Sequence, residues 1–175
     1  MNTKLTNLNY AILGALLEKP LTGYQIRKIF ETTAMGQFSE STGSIYPAIK
    51  KLQAGGYLLK TKIQTKDSFL LSPSPSGKEI LKSWVSQPLS EKDISKDMDI
   101  ILLKYVFQES LLTSGQKKKF LSALKELLGD YSNKLEQHYK AASKSMTPHG
   151  KQAFRLGLSV FQLQFKWAKK MLKNL

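Results

Sequence analysis

Apolar side chains recur at helical spacing along most of the chain, and helix-stopping residues divide this pattern into segments. The first predicted helix covers residues 8–19 and is stopped by Pro20. Thr22 and Gln25 form a capping-box pattern that begins the second helix. A third helix is predicted within residues 41–56, where hydroxyl side chains are expected to cap its start and two glycines to end it. The apolar stripe of this third helix consists of Ile45, Ile49 and Leu52.

A period of two replaces the helical spacing after the third helix and predicts a β-hairpin. Its first strand is expected in residues 57–64, a polar turn in 65–68 and a return strand in 69–71. A hairpin directly after three short helices is typical of a winged helix-turn-helix, although a two-stranded cover with merely solvated lysines fits the same pattern. The apolar side of the first strand is predicted to carry Tyr57, Leu59 and Ile63, and the opposite side Lys60 and Lys62.

A polar stretch in the middle of the chain marks the expected boundary between two domains. A helix beginning at Ser76 or Gly77 is predicted to end before Pro88, and residues 89–95 are predicted to be a linker. We therefore expect a mainly α fold with a small β-hairpin wing, in which a winged helix-turn-helix domain is followed by an α-helical dimerisation domain. The predicted domains are residues 1–88 and residues 89–175.

Three helices are predicted after the linker. The first is strongly apolar and covers residues 98–106; the second begins at a capping box of Thr113 and Gln116. Thr147 and Pro148 begin the last one. The regular stripe of the long middle helix predicts coiled-coil-like packing. It consists of Phe120, Leu124, Leu127, Tyr131, Leu135 and His138.

The last predicted helix has apolar residues on two roughly opposite faces. Such a helix needs two surfaces to pack against: either its own domain and a second subunit, or two surfaces of the same chain. One face consists of Phe154, Leu158, Phe161, Phe165, Ala168 and Leu172. The residues predicted to contribute to dimerisation are Leu156, Val160, Phe161, Leu163, Trp167 and Met171.

The formal net charge of +14 predicts a polyanionic partner, which is nucleic acid or, less often, an anionic membrane surface. The excess is spread over both halves, because residues 1–88 hold 11 basic against 5 acidic side chains and residues 89–175 hold 16 against 8. Arg27 and Arg155 are the only arginines, so lysine contacts to phosphate are expected in place of bidentate arginine–guanine contacts. Solubility through lysine is the simpler alternative explanation.

Several classes of chemistry have no support in the sequence. There is no cysteine, which excludes disulfides and thiolate metal sites, and no apolar run approaches the roughly 20 residues that a membrane helix needs. His138 and His149 are eleven residues apart, and His138 is interpreted as a core histidine. No phosphate-binding loop or nucleophile motif is present. We expect a cytoplasmic protein that is not an enzyme and has no cofactor, metal or membrane partner.

Four short stretches of the first half form one distinctive combination: Leu13-Gly14, Gly23-Tyr24, Ser-Ile-Tyr-Pro-Ala-Ile-Lys-Lys-Leu at residues 44–52, and Gly55-Gly-Tyr57. This combination resembles the PadR-like family of transcriptional regulators. The resemblance implies a winged helix-turn-helix dimer that represses transcription and is often released by a small ligand. It also implies that the third helix enters the DNA major groove and that Tyr46 lies near the DNA backbone.

The predicted function is therefore a dimeric repressor that binds a palindromic operator in double-stranded DNA through the third helix and the wing. The alternative is a winged-helix adaptor that docks an acidic protein partner without sequence-specific DNA binding. A small aromatic or hydrophobic effector is the expected ligand, and the aromatic residues Trp84, Phe161, Phe165 and Trp167 either line a pocket for it or are plain core packing. The predicted DNA-binding residues are Ser41, Thr42, Ser44, Tyr46, Pro47, Lys50, Lys51, Lys60, Lys62 and Lys66.

Overall fold

A computed structural model describes residues 4–39, 41–63 and 68–175 of the chain. The described part is mainly helical with one two-stranded antiparallel sheet, which confirms the predicted fold class. Its contacts form two compact units. The first unit comprises the residues up to 85 together with 103–111, and the second comprises 86–102 and 112–175. The functional division predicted between residues 88 and 89 stays a prediction.

Three short helices, a hairpin and a fourth helix make up most of the first unit. Its helix α1 ends at Ala15, four residues before the predicted end, because the N–H of Leu16 bonds to the carbonyls of Leu13 and Gly14 and tightens the last turn. The second helix begins at the predicted capping box, where Thr22 and Gln25 bond reciprocally. The elements are α1 (Asn7–Ala15), α2 (Gly23–Thr32), α3 (Ile45–Ala54), β1 (Leu58–Lys62), β2 (Phe69–Pro73) and α4 (Pro75–Val85).

The two strands pair antiparallel, with Leu58 opposite Pro73 and Lys62 opposite Phe69. Leu58 is buried and Leu59 is 52% exposed, so the predicted assignment of Leu59 to the inner side of the strand is wrong. Because side chains alternate along a strand, the burial of Leu58 puts the lysines of β1 on the side of Leu58. Because Leu58 and Leu59 are adjacent, the sequence allows either leucine to be on the buried side of β1. Packing against the rest of the unit buries Leu58. Of the predicted turn, residues 64–67 lie outside the described residues.

Four helices continue the chain: α5 (Glu91–Lys96), α6 (Met98–Leu111), α7 (Ser114–Ala142) and α8 (Pro148–Lys173). The prediction of a linker over residues 89–95 is wrong, since α5 begins there at a capping box of Ser90 and Asp93. Ile94 of α5 is only 1% exposed, which explains why this polar stretch folds: one apolar side chain anchors it. The predicted capping box of α7 and the Thr147 cap and first-position proline of α8 are present.

Helices α7 and α8 pack against each other along most of their lengths. The Phe161 ring lies edge-on to Tyr131, with centroids 4.8 Å apart, and the Phe165 ring covers Gly129, where a Cβ would lie 3.2 Å from it. The fully buried side chains of α7 include Leu121 and Leu128, which the predicted stripe omitted. Helix α8 therefore uses its Phe154–Leu172 face within its own unit.

The opposite face of α8 is left uncovered. Leu156, Val160 and Leu163 are 69%, 43% and 68% exposed, so the alternative in which both apolar faces are buried within one chain is wrong for these side chains. His138 is also exposed and stacks on Phe154 with centroids 5.8 Å apart, which contradicts its interpretation as a core histidine. No helix of the described residues is long and apolar enough to cross a bilayer.

Candidate nucleic-acid interface

Helix α3 presents a polar and aromatic face outward because its apolar stripe is buried. Ile45, Ile49 and Leu52 are at most 5% exposed, as predicted. The helix ends in a Schellman motif: the N–H of Tyr57 bonds to the carbonyl of Leu52, and Gly56 takes the left-handed φ of +71° that side chains disfavour. The exposed face of α3 carries Tyr46, Pro47 and Lys50.

The serine hydroxyls before α3 bond to each other and to the backbone of the entering turn. Ser39 Oγ lies 2.6 Å from the carbonyl of Ser41 and 2.7 Å from Ser44 Oγ, and Ser44 Oγ lies 2.7 Å from the same carbonyl. Neither Ser41 nor Ser44 makes a side-chain capping bond at the start of α3, so the predicted cap by these serine hydroxyls is wrong. The chain instead enters α3 through a 3₁₀ turn, Thr42–Ser44, and the side chain of Thr42 lies outside what the structure describes.

The two adjacent lysines of α3 have different surroundings. Lys51 is half-buried, and its Nζ donates a hydrogen bond of 2.7 Å to the carbonyl of Lys4. Lys50, one residue earlier and about 100° away around the helix, is exposed. Lys51 therefore ties α3 to the segment before α1, whereas Lys50 faces solvent.

Two exposed tyrosines, one on α2 and one on α3, were only partly anticipated from the sequence. The ring of Tyr46 lies over Gly23, where a Cβ would be 3.1 Å from it, so Gly23 lets α2 and α3 approach closely. Tyr24 is 59% exposed, and the guanidinium of Arg27 lies 5.6 Å from its ring centroid. Arg27 also pairs with Glu31 at 3.2 Å. An exposed tyrosine three residues from the only arginine of the first half is the sequence signal for this cluster.

Asn9 is a buried polar residue that sequence reasoning missed. It is 1% exposed; its Nδ2 donates to the carbonyl of Ala48 in α3, and its Oδ1 accepts from the N–H and hydroxyl of Thr6. One side chain thus caps α1 and joins it to the middle of α3. The spacing of Thr6 and Asn9 matches a capping box in which Asn replaces the usual Glu or Gln, and it is the signal that was available.

Replacing Asn9 by alanine is expected to lower the free energy of unfolding by about 2 kcal/mol, because the carbonyl of Ala48 and the N–H of Thr6 lose a buried partner. Asn7→Ala in the same helix turn is the control, since Asn7 is exposed. Urea unfolding followed by circular dichroism measures both. Equal losses in the two variants would show that the bond between α1 and α3 does not hold α3 in place.

The wing adds exposed lysines on β1. Lys60 and Lys62 are both exposed, and the Nζ of Lys60 lies 3.6 Å from the centroid of the Phe69 ring, which holds its ammonium near the hairpin surface. Lys66, the third predicted wing residue, lies outside the described residues. The first unit therefore contains both the outer face of α3 and two exposed wing lysines. The described residues contain no group of side chains suited to hold a metal.

The chain is similar in sequence to known transcriptional regulators. Residues 12–69 match the model of the "Transcriptional regulator PadR-like family". Over 137 residues the chain is 35% identical to the "Negative transcriptional regulator PadR" of Bacillus subtilis (strain 168), an alignment that covers 71% of this chain and 72% of that protein. The chain belongs to the PadR-like family of transcriptional regulators. The predictions of this family, and of a regulator in place of an enzyme, are confirmed.

Solved structures of PadR-like proteins are also similar to this chain over nearly its whole length. One is Bacillus subtilis PadR in complex with operator DNA, which is 26% identical in sequence. The alignment covers 97% of this chain and 98% of the PadR chain, with a TM-score of 0.43. Another is Bacillus subtilis PadR in complex with p-coumaric acid, which is 24% identical. That alignment covers 95% of this chain and 93% of the PadR chain, with a TM-score of 0.42.

The aromatic residues proposed for a pocket in this PadR-like chain occupy both units. Trp84 is buried in the first unit and stacks on Tyr10 with centroids 4.7 Å apart. Burial, and to a smaller extent the neighbouring Tyr57, raise the pKa of Tyr10. Phe161 and Phe165 belong to the second unit and pack against α7.

The residues predicted for dimerisation of this PadR-like chain lie on two faces of α8. Leu156, Val160 and Leu163 form the exposed face, while Phe161 packs on Tyr131 on the face towards α7. The two remaining residues, Trp167 and Met171, are half-buried.

Proposed function

We propose that this PadR-like regulator is a cytoplasmic, dimeric repressor that binds a palindromic operator through α3 and the wing of each protomer. The observation that carries the proposal is the outer face of α3, where Tyr46, Pro47 and Lys50 are exposed on a helix held from behind by Asn9. The relative from Bacillus subtilis is named as a negative regulator, and PadR of that organism has been solved with operator DNA.

Phosphate contacts supply most of the affinity in this proposal. Lys50, Lys60 and Lys62 are exposed ammonium groups on the proposed DNA-binding face, and an ammonium binds phosphate as a point charge without reading bases. Ser44 and Lys51 are already bonded to backbone carbonyls, so we assign them to the positioning of α3. Sequence is read by exposed side chains of α3 that reach base edges and by the distance between the two copies of α3 in the dimer, while Tyr46 lies near the DNA backbone.

The dimer forms, in this proposal, through the exposed apolar face of α8. Leu156, Val160 and Leu163 succeed each other at spacings of four and three, which gives one continuous stripe along about two helical turns. A contiguous apolar stripe of this kind is unfavourable in water and is typical of a subunit interface. The two proposed domains follow: residues 1–88 bind DNA, and residues 89–175 dimerise and respond to an effector.

A small aromatic or hydrophobic effector completes the proposal. PadR of Bacillus subtilis has been solved with p-coumaric acid, which is an aromatic acid. We propose that an effector of this general kind releases the repressor by binding one arrangement of the dimer better than the other, which couples its binding to that of DNA.

Replacing Lys50 by alanine is expected to weaken binding to all duplexes and to make the dependence of log affinity on log salt less steep by about 2, since each dimer loses two phosphate contacts. Lys51→Ala is the matched control, because Lys51 bonds to the carbonyl of Lys4 and should leave the salt slope unchanged. Fluorescence anisotropy with an operator selected from a random duplex library, measured at several salt concentrations, gives both slopes.

The same titrations separate the repressor from the adaptor alternative. A repressor binds the selected operator more tightly than a random duplex of equal length, and this preference persists as salt weakens both. Failure to enrich any duplex, together with equal affinity for all of them at every salt concentration, would contradict the proposed function.

A further inference from the structure

Helix α8 has a third face, besides the face that packs on α7 and the exposed apolar stripe. Of its 26 residues, six are lysine or arginine and none is aspartate or glutamate. Four of these cations follow each other at spacings of eleven, three and four residues, which at 100° per residue places them within a sector of about 60° around the helix. We call this group the basic stripe of α8; it consists of Arg155, Lys166, Lys169 and Lys173.

The basic stripe is separate from the two other faces of α8. Its centre lies about 110° around the helix from the apolar stripe of Leu156, Val160 and Leu163. It lies about the same angle, in the opposite direction, from the face whose Phe161 and Phe165 pack on α7. All four cations are exposed. A subunit interface centred on the apolar stripe therefore leaves the basic stripe open to solvent.

The charge of the stripe is not compensated. No ion pair of the described residues involves α8, and the guanidinium of Arg155 lies 5.5 Å from the ring centroid of Tyr139, a contact that leaves its charge in place. The second unit contains 15 basic against 7 acidic side chains, and all seven acidic ones precede α8 in the chain. Like charges held side by side repel each other, so an anionic partner stabilises this arrangement.

The shape of the stripe fits a long polyanion. At a rise of 1.5 Å per residue, it extends over about 27 Å of one straight helix. A small anion could contact only part of such a row, whereas duplex DNA carries one negative charge for about every 1.7 Å of its axis. An anionic membrane surface is less suitable, because a helix that binds at a bilayer inserts an apolar face, and the apolar stripe of α8 is the proposed subunit interface.

We propose that the basic stripe of α8 binds the phosphate backbone of a second DNA duplex while α3 and the wing bind the operator. Cations that contact only phosphate give weak binding without sequence preference, so the second duplex can have any sequence. The dimer would then hold two segments of DNA at once. This inference goes beyond the proposed repressor function, since it assigns DNA contacts to the unit for which we proposed dimerisation and the effector response.

Capture of a second duplex by the operator-bound protein tests the proposal. A short operator duplex without flanking DNA is immobilised and saturated with protein, and a labelled duplex of random sequence is then added. We expect the random duplex to be captured, with log affinity falling against log salt with a slope of about −3.5 or steeper, because each stripe supplies four phosphate contacts. Fluorescence of the retained label measures capture over the salt range in which the operator stays bound.

Two variants of equal net charge test whether the stripe or the total charge is responsible. The stripe variant is expected to capture the random duplex at least about tenfold more weakly, because its phosphate contacts are lost. It carries Arg155→Gln, Lys166→Gln, Lys169→Gln and Lys173→Gln. The control variant loses the same charge from exposed lysines of the same unit outside the stripe, and its capture should be the stronger one. It carries Lys118→Gln, Lys119→Gln, Lys140→Gln and Lys144→Gln.

Capture that is lost in the stripe variant and kept in the control variant supports the proposal. No capture at low salt, equal losses in the two variants, or undiminished capture by the stripe variant would overturn it. Binding of the operator-bound protein to phosphatidylserine vesicles in place of the duplex would also overturn it, in favour of a membrane surface. Circular dichroism checks that both variants are folded; the altered side chains are exposed, so no buried packing is lost.

Failure of the repressor function would be a distinct result. If no operator can be enriched, the two variants are compared on random duplex alone, where the stripe variant should have the shallower salt dependence. Equal salt slopes in that comparison would overturn the stripe proposal independently of operator recognition.

Discussion

The double variant Val160→Lys, Leu163→Lys is expected to be a monomer and to bind its operator at least about 100-fold more weakly than the unaltered protein. Each substitution would put an unpaired ammonium into the apolar stripe of α8, and burying such a charge costs more than the stripe gains on association. A monomer engages one half-site and loses the advantage of two linked contacts. Sedimentation velocity measures the association state, and fluorescence anisotropy measures the affinity.

Gln162→Lys is the matched control for this prediction. Gln162 is half-buried and lies about 160° around α8 from Val160 and about 100° from Leu163, so it adds one ammonium to the same helix away from the apolar stripe. It should leave the dimer intact. A double variant that still sediments as a dimer would place the subunit interface elsewhere, and a monomer with undiminished operator affinity would show that binding does not depend on two linked copies of α3.

Gly77→Ala adds one methyl group and is expected to lower the free energy of unfolding by about 3 kcal/mol. A Cβ on Gly77 would lie 2.1 Å from the carbonyl oxygen of Tyr57, and a backbone atom held by its own hydrogen bond has little room to move. That carbonyl accepts from the N–H of Ser74, whose hydroxyl accepts from the N–H of Gly77. The added methyl therefore pushes the start of α4 away from the end of α3.

Gly115→Ala provides the comparison, because Gly115 also lies in the first turn of a helix but has nothing within 4 Å of its Cβ position. There the substitution is expected to stabilise the protein by up to about 1 kcal/mol through helix propensity. Chemical unfolding of both variants at one temperature decides the point. If Gly77→Ala were as stable as Gly115→Ala, the close approach of α4 to Tyr57 would not matter for stability.

The glycines of the family motif illustrate how the structure explains what the sequence only marks. In the sequence, Leu13-Gly14 and Gly23-Tyr24 are two of the short motifs that resemble the family. In the structure, Gly14 receives the ring of Phe107 from α6 and Gly23 receives the ring of Tyr46 from α3. Each glycine is thus a point of close packing within the first unit, and neither aromatic partner is its neighbour in sequence.

Local interactions made much of the fold predictable. The capping boxes that begin α2 and α7 join residues three positions apart, so their geometry depends on little beyond the sequence itself. The same holds for the end of α3, where Gly56 takes a backbone angle that other residues disfavour. The same kind of signal at Ser90 and Asp93 begins α5, in the stretch where the polar composition predicts a linker.

The candidate site was predictable as a region but not residue by residue. The sequence placed Lys50 and Lys51 together, and only the structure distinguishes them, because Lys51 reaches the carbonyl of Lys4, which is 47 residues away. Nor does the sequence separate Ser44 from the other hydroxyls, although its Oγ donates to the carbonyl of Ser41 and lies 2.7 Å from Ser39 Oγ.

The sequence by itself determined the order of the helices other than α5, the hairpin, the buried stripe of α3 and the two faces of α8, because each follows from spacing along a single element. The tertiary structure alone decided which leucine of β1 is buried, which lysine of α3 faces solvent and which face of α8 is covered. These outcomes depend on packing between residues far apart in the chain, and the spacing of residues along one element does not specify which distant residues pack against that element.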